Sequence, residues 1–407
     1  MHILLLRQWY PPEPVLLGQQ LAHGLQRMGH QVTVLTGFPN YPAGKLYPGY
    51  CLRPWRREVL AGVPVVRAPL YPDHSRSGLR RILNYISFAI ASSAIGPWLV
   101  SRPDVIFVYH PPLTIGWPAW LLSRLWRVPF VYQIQDMWPE TLRATGMMNS
   151  ERTLSWVGHF AKWVYAKAAA ICVISPGFRV NLIKKGVSPE KIHVISNWVD
   201  TEIYYPEQPD SALAEELGMA GRFNIMFAGN IGEAQGLETV LDAAELLRGS
   251  PLLQFVFVGD GTALPRLRQS AESRALNNVR FLGSYRPEAM PKLYSLADVL
   301  LVHLRDDPLF RITIPHKILS YMAVGKPILA AVAGDAADVV TEAGAGIACS
   351  PGDAQALASV VQRFHNMDEQ ERRKMGECGL AAVHKQYSRA VLVGEIEAVL
   401  RRVAGKQ

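Results

Sequence analysis

FNIMFAGNIGEAQGLETVLDAAELLR, residues 223–248, decides how this chain folds. It opens on the short apolar run FNIMFA (223–228), the length of a strand buried on both faces. It closes on a helical pattern in which Leu237, Val240, Leu241, Ala244 and Leu247 share one face. Between them, AGNIGEAQG (228–236) spaces Gly229, Gly232 and Gly236 through the turn. Glycine lets backbone bend sharply and approach a ligand closely. Free N–H groups at the helix start, with the positive end of the helix dipole, then form a phosphate site. The same glycines also serve an ordinary strand-to-helix turn, and the spacing matches neither GxGxxG nor the P-loop.

The strand–turn–helix rhythm recurs along all 407 residues. Strands are expected at 2–6, 31–36, 63–67, 104–109, 129–134, 170–174 and 192–195, and then at 223–228, 254–258, 279–282, 298–302, 327–331 and 346–348. Apolar strands separated by helices predict parallel sheets covered on both faces, an α/β architecture occurring twice. A helix is expected over 15–28, ending at Gly29. The polar, proline-containing stretch 201–218 separates the two series. The expected divisions are 1–202, 203–385 and an amphipathic closing helix within 386–407, which either covers the second sheet or crosses back to the first domain.

MHILLLRQWYPPEP at the start has too short an apolar run for a signal peptide, and Arg7 follows that run. Cys51, Cys172, Cys349 and Cys378 form no CxxC pair, which reads as reduced, buried thiols of a cytoplasmic protein. Residues 1–200 carry 21 Lys+Arg against 9 Asp+Glu, whereas residues 201–407 carry 21 against 25. With no nucleic-acid motif visible, the basic half suits an anionic membrane face or a phosphorylated lipid, or is simply a solvated surface. Residues 82–101 are uncharged and weakly apolar, with Arg80, Arg81 and Arg102 at their ends and the basic stretch RSGLRR at 76–81. They are a membrane span, a buried helix or an interfacial helix.

Other candidate residues follow strands, where open α/β sheets bind ligands. In RDDPLFRITIPHKILSYMAVGK (305–326), Arg311, His316 and Lys317 can meet a diphosphate. Gly18, after the first strand, gives an acceptor close access to backbone. Asp136 in QIQDMWPE and His110 in YHPPL each follow a strand; the alternatives are a helix cap and a structural histidine. GxSxG, HExxH, the EF-hand loop and an early DxD are all missing, which points to a metal-free grip on phosphate.

Taken together, YPPEP, LGQQLAHGLQRMGHQVTVLTGFPNYP, DMWPE, AGNIGEAQGLETVLDAAELL and PHKILSYMAVGKPILAAVAGDAADVVTEAGAG resemble the GT-B glycosyltransferases of family four, group 1. They resemble in particular the bacterial transferases of O-antigen, capsule and exopolysaccharide that act on amino or deoxyamino sugars. The resemblance implies two Rossmann-like domains facing a central cleft, and retaining transfer with no cofactor beyond a UDP-sugar donor. The acceptor, a polyprenyl-diphosphate-linked saccharide at the inner membrane face, would bind the first domain, around Gly18 and Gln19. The donor would bind the second. Gly229, Asn230, Gly232, Gln235, Gly236 and Lys317 would hold the diphosphate, Ser284 and Tyr285 the base, and Ser320 the ribose. Arg311, Thr313, Ile314 and His316 would surround the donor sugar, and Asp136 and His110 would be catalytic. The chain departs from the family pattern at Asn230 and Gln235 (usually Arg and Lys), at Ile312 and Ser320 (usually glutamates) and at Leu17–Gly18 (usually Gly-Gly). A sugar-nucleotide 2-epimerase of the same architecture and a non-catalytic partner subunit are the rival readings.

Overall fold

The computed structural model describes residues 1–75, 77–144, 147–148 and 150–405; Arg76 of the RSGLRR stretch lies outside them. The chain forms two compact units, Met1–Ser196 with the segment from Arg389, and Asn197–Ser388. The first holds strands β1 (His2–Leu6), β2 (Gln31–Gly37), β3 (Arg56–Leu60), β4 (Val63–Ala68), β5 (Val105–Tyr109), β6 (Phe130–Ile134), β7 (Ala170–Val173) and β8 (Ile192–Val194). Their order is β3-β4-β2-β1-β5-β6-β7-β8, parallel throughout except for β3 against β4. The second holds β9 (Phe223–Ala228), β10 (Leu253–Val258), β11 (Val279–Gly283), β12 (Val299–His303), β13 (Ile328–Ala331) and β14 (Gly346–Cys349). Their order is β11-β10-β9-β12-β13-β14, all parallel. The apolar runs β5, β6, β9, β10 and β12 are buried at every residue, which is why they read as strands.

Both sheets reverse strand order once. The first winds one way from β1 to β2 and the other way from β5; the second does so between β9 and β12. Helices leave opposite faces of the sheet on the two sides of such a reversal, so a crevice opens beyond the strand ends. Arg7 follows β1 and His110 follows β5, while Gly229 follows β9 and Leu304 follows β12.

Strand β3 escapes the pattern-based reading. RREVL is polar and alternates in exposure because an edge strand covers one face only. The link Ala61-Gly62 carries φ of +47° and +81°, the two-residue turn that joins antiparallel neighbours. Beside it Arg67 is fully buried, yet each donor group has an acceptor: Nε on Glu58 Oε1 at 2.5 Å, one NH2 on the Gly37 carbonyl at 2.8 Å and the other on the Pro11 carbonyl.

The division between units falls before the polar 201–218 stretch, not at 202. Trp198 and Val199 are 1% and 0% exposed, and Val199 lies in the second core, with Met219 closing the same stretch. Residues 201–218 therefore lie along the second unit, and Tyr204 rests on Tyr294 with ring centres 6.4 Å apart. Of the cysteines, only Cys172 is fully buried; Cys51 is exposed and the other two are partly buried. Helix Leu16–Arg27 ends, through Met28, at Gly29 with φ +84°. Residues 82–99 of the uncharged segment lie in helix Gly78–Leu99, long and apolar enough to cross a membrane by length and composition; it buries Asn84, Tyr85, Phe88, Ser92 and Gly96 and exposes Leu79, Leu83, Ile86, Ile90 and Trp98.

The closing helix begins at Arg389 and belongs to the first unit. It buries Leu392, Val393, Ile396, Val399, Leu400 and Val403 there. Val393 faces Gly24, where an added Cβ would approach to 2.9 Å, and Glu397 accepts from His30 at 2.9 Å and from Arg401. Six buried apolar side chains at about 1.5–3 kcal/mol each rival the whole stability of a domain. A chain ending at Ser388 is therefore expected to lose hydrogen-exchange protection in β1 and β5–β7 while β9–β14 keep theirs. Equal protection in both units would contradict this account of the helix.

Candidate functional site

Beyond the ends of β9 and β10 the backbone is packed too tightly for side chains. Gly259, after β10, has φ +138°, and a Cβ on it would stand 1.9 Å from the Gly229 carbonyl oxygen. A Cβ on Gly261 would meet the Ile231 carbonyl oxygen at 2.3 Å. The two strand ends thus stack as paired glycine turns. They border a cavity of about 330 Å³, lined by Gly229, Asn230, Gly259, Asp260, Ser284 and Tyr285, with Tyr204 and Tyr294 on its wall.

Several donors expected to be free are spent within the protein. Gly229 N–H donates to the Val258 carbonyl, Ile231 N–H to the Asp260 carbonyl, and Gly232 N–H to Gln235 Oε1 at 3.1 Å. Gln235 thus braces the turn. Gly236 takes a left-handed conformation (φ +56°), and the regular helix begins at Glu238, after a 3-10 turn over Glu233–Gln235. Asn230 is exposed on the cavity wall.

Beside this turn, one buried positive charge has no hydrogen-bond partner among the described residues. Lys317, in the first turn of helix His316–Ala323, places its ammonium 3.6 Å from the centre of the Phe227 ring. The nitrogen is buried without a hydrogen-bond partner, and a Cβ on Gly229 would lie 3.3 Å from it. Burial pulls its pKa down to about 7. A cation at a helix N-terminus also sits at the wrong end of the dipole. Only the Phe227 ring face offsets that charge among the described residues, and it takes none of the three N–H bonds that an anion beyond Gly229 would accept.

The other charged candidate is engaged. Arg311 is exposed and holds Asp306 through two bonds of 2.8 and 2.9 Å, which keeps the Asp306 carboxyl below its usual range. Thr313 Oγ1 donates to the Leu309 carbonyl at 2.8 Å, and Ile314 is half-buried. His316 Nε2 lies 3.1 Å from the Trp198 carbonyl. Ser320 is 3% exposed and off the cavity wall; its hydroxyl bonds Tyr204 and lies 3.4 Å from His316 Nδ1. Tyr204, Gly259 and Asp260 went unnoticed in the sequence, although the Gly-Asp-Gly after β10 (259–261) was a legible signal.

The β1/β5 reversal of the first unit opens on a cavity of about 510 Å³, whose wall includes Arg7, Trp9, Tyr85, Tyr109, Asp136 and Trp138. Asp136 has no hydrogen bond or ion pair among the described residues, and burial raises its carboxyl to about 6. His110 is 1% exposed and is not on that wall. Its ring stands edge-on to Trp138 at 5.6 Å, and burial holds its pKa near 3, so it is a neutral packing residue in this arrangement. Gly18 is likewise buried, and Gln19 is half-buried off the wall. Among the described residues no three His, Cys, Asp or Glu side chains gather as a metal site would need.

Two doubly wound α/β units, the first with a cavity at its β1/β5 reversal and the second with one beyond the ends of β9, β10 and β11, are the two Rossmann-like halves of the GT-B fold. Comparison places the chain within that class. Residues 18–198 match the family described as Glycosyl transferase 4-like domain, and residues 222–366 match Glycosyl transferases group 1. The putative colanic acid biosynthesis glycosyl transferase WcaI of Escherichia coli is 30% identical over 78% of this chain and 79% of its own length. The probable glycosyltransferase WbjE of Pseudomonas aeruginosa is 24% identical over 80% of each. The crystal structure of Anabaena HepE in complex with UDP superposes with a TM-score of 0.73 at 19% identity, covering 99% of this chain and all of the other. The chain belongs to the group 1 glycosyltransferases, and it is a glycosyltransferase.

Asp136 gives a signed test. Its folded pKa, about 6, lies above the ordinary 3.8, so the native state holds the proton more tightly than the unfolded chain. Stability is then lost as pH rises through that window and stays low above it. Asp136→Asn is expected to be about 1–3 kcal/mol more stable than the parent at pH 7.5, with no gain below pH 4. Thermal unfolding across pH checks this; a variant less stable at pH 7.5 would reject the unpartnered carboxyl.

Proposed function

We propose that the protein transfers a sugar, with retention, from a UDP-sugar to a polyprenyl-diphosphate-linked saccharide during assembly of a bacterial surface polysaccharide. The observation that carries this is the Lys317 ammonium, buried beside Gly229 with no partner. A diphosphate lying over the glycine turn completes its coordination, and no resident metal is required for that contact. Ser284 and Tyr285 border the same cavity and suit a base; Tyr204 replaces Ser320 as the nearer hydroxyl for a ribose. The HepE complex with UDP and the name of WcaI support the donor and the pathway class. The donor sugar is proposed to be an amino or deoxyamino hexose.

Departure of UDP leaves negative charge on the diphosphate. A cation already in place and desolvated stabilises that charge without reorganising at the moment of reaction. One diphosphate oxygen, on the face where the sugar departs, takes the proton of the incoming hydroxyl, which retains configuration. Asp136 orients the acceptor. Incubating the protein with a panel of sugar nucleotides and a polyprenyl-diphosphate sugar, read by mass spectrometry, tests the reading. Isomerised sugar nucleotide without acceptor, or no turnover of any donor, would reject it.

The lysine makes the donor affinity pH-dependent. Free Lys317 is protonated below about 7 and loses its proton above it, whereas a bound diphosphate holds the proton on. Affinity for a sugar nucleotide, whose diphosphate does not titrate here, is expected to be full below pH 7 and to fall up to tenfold per unit towards pH 9. Lys317→Met should weaken binding tenfold or more at pH 6.5 and flatten that profile. Calorimetry that finds the parent's slope retained in the variant would remove Lys317 from the grip.

The protein is proposed to work at the cytoplasmic membrane face as a peripheral protein. Helices Gly78–Leu99, Gly116–Trp126 and Glu151–Lys167 expose Trp98 (84%), Trp117 (44%) and Trp156 (77%) together with Leu83, Ile90 and Leu125. Arg80, Arg124, Arg127, Arg152 and Lys162 are exposed among them. Apolar rings flanked by cations match an anionic lipid interface. Replacing Trp98 and Trp156 by Ser together is expected to cut partitioning onto phosphatidylglycerol vesicles at least fivefold, read by co-sedimentation. Unchanged partitioning would refute the surface.

A further inference from the structure

Among the described residues the first unit buries two arginines, and they differ in one respect. Arg67 has acceptors for its donors on all three nitrogens. Arg7, 4% exposed, has no acceptor for Nε or for one terminal nitrogen. Its guanidinium lies 4.6 Å from the Tyr109 ring centre and 6.0 Å from that of Tyr10. Ring faces attract the charge but take no N–H bond directionally. Glu13 is the nearby carboxylate, and its oxygens are occupied by the backbone N–H groups of Tyr10, Asn40 and Tyr41. A buried guanidinium in this state is costly unless something else arrives.

The place it occupies is made for it. A Cβ on Gly18 would stand 1.1 Å from the Arg7 terminal nitrogen, so the side chain fits only because position 18 is glycine. Gly18 lies in the first turn of helix Leu16–Arg27, which has no side-chain cap and no acidic residue in that turn. Val15, Leu16 and Leu17 of the same helix start line the 510 Å³ cavity with Arg7. An uncapped helix start and an unsatisfied guanidinium therefore meet on one wall. Each alone favours an anion. Opposite chemistry is present elsewhere on the wall: the unpartnered Asp136 carboxyl, and the rings of Trp9, Tyr85 and Trp138.

We propose that this cavity is the acceptor subsite, and that it takes a sugar bearing an anionic group, phosphate or carboxylate, held between the Arg7 guanidinium and the start of helix Leu16–Arg27. The aromatic rings take the sugar faces and Asp136 takes a hydroxyl. The naming of the bound sugar as acceptor rests on the transferase reading; the anion site itself does not.

The test is made on the full chain, with tryptophan fluorescence and calorimetry following α-glucose 1-phosphate, glucuronic acid and glucose. The two anions are expected to bind at least tenfold more tightly than glucose. Arg7→Met should abolish that preference while leaving Tm equal or higher, because it removes an unsatisfied buried charge. A merely structural arginine would lower Tm instead, which would overturn the proposal. Gly18→Ala expels the guanidinium by a second route and should give the same loss of preference; a preference kept in Gly18→Ala would also overturn the proposal. Phosphate above carboxylate identifies a phosphorylated acceptor, and the reverse a uronic acid. A preference that survives both substitutions but disappears in Lys317→Met would place the anion in the other unit and sink the idea. Turnover of sugar nucleotides by the parent is scored separately, so failure of the transferase reading is distinguishable from failure of this subsite.

Discussion

A cation removed from water is costly without an anion, and Lys317 has none hydrogen-bonded to it among the described residues. Every feature around it follows from that. Phe227 turns its ring towards the ammonium, Gly229 leaves room beside it, and Gly259 lets a second turn close against the first. Keeping that charge dry costs stability, which shows in the Lys317 pKa pulled down to about 7. In the first unit Arg7 repeats the logic at the corresponding sheet reversal, with Gly18 in the part that Gly229 plays. The constraint is electrostatic, and the glycines are its steric consequence.

The parallel strands were legible because burial on both faces leaves a continuous apolar run, as in β5 and β9. Strand β3 was not, since an edge strand needs only one covered face and RREVL looks like a loop. The site was legible as location and less so as chemistry. The turn at 229–236 lies at the second sheet's reversal, but Gln235 braces the backbone and Arg311 is tied to Asp306. Such pairings depend on which neighbour folds against a side chain, and spacing along the chain does not carry that information. Gly18 was noticed as open backbone, whereas its space is filled by Arg7, a residue that sequence spacing marked only as following a strand.

The contrast between His110 and Asp136 shows why strand-end position is a weak guide to role. Both follow strands near the same cavity, and the two respond oppositely to burial. The imidazole is held neutral, its pKa near 3, and packs on Trp138; the carboxyl is lifted to about 6 and stays poised near neutrality. Only the second can change charge in the working range of an enzyme.

The closing helix has a consequence for how the molecule is made. Both ends of the chain lie in one unit, so residues 197–388 are an insertion, and its two ends are joined where Val199 pairs with Ser388. The inserted half holds every residue of its own core, while the half begun first needs residues 389–404 to cover β5, β6 and β7. The unit that starts the chain is thus the one that closes last in sequence, since β5, β6 and β7 stay uncovered until residues 389–404 pack on them.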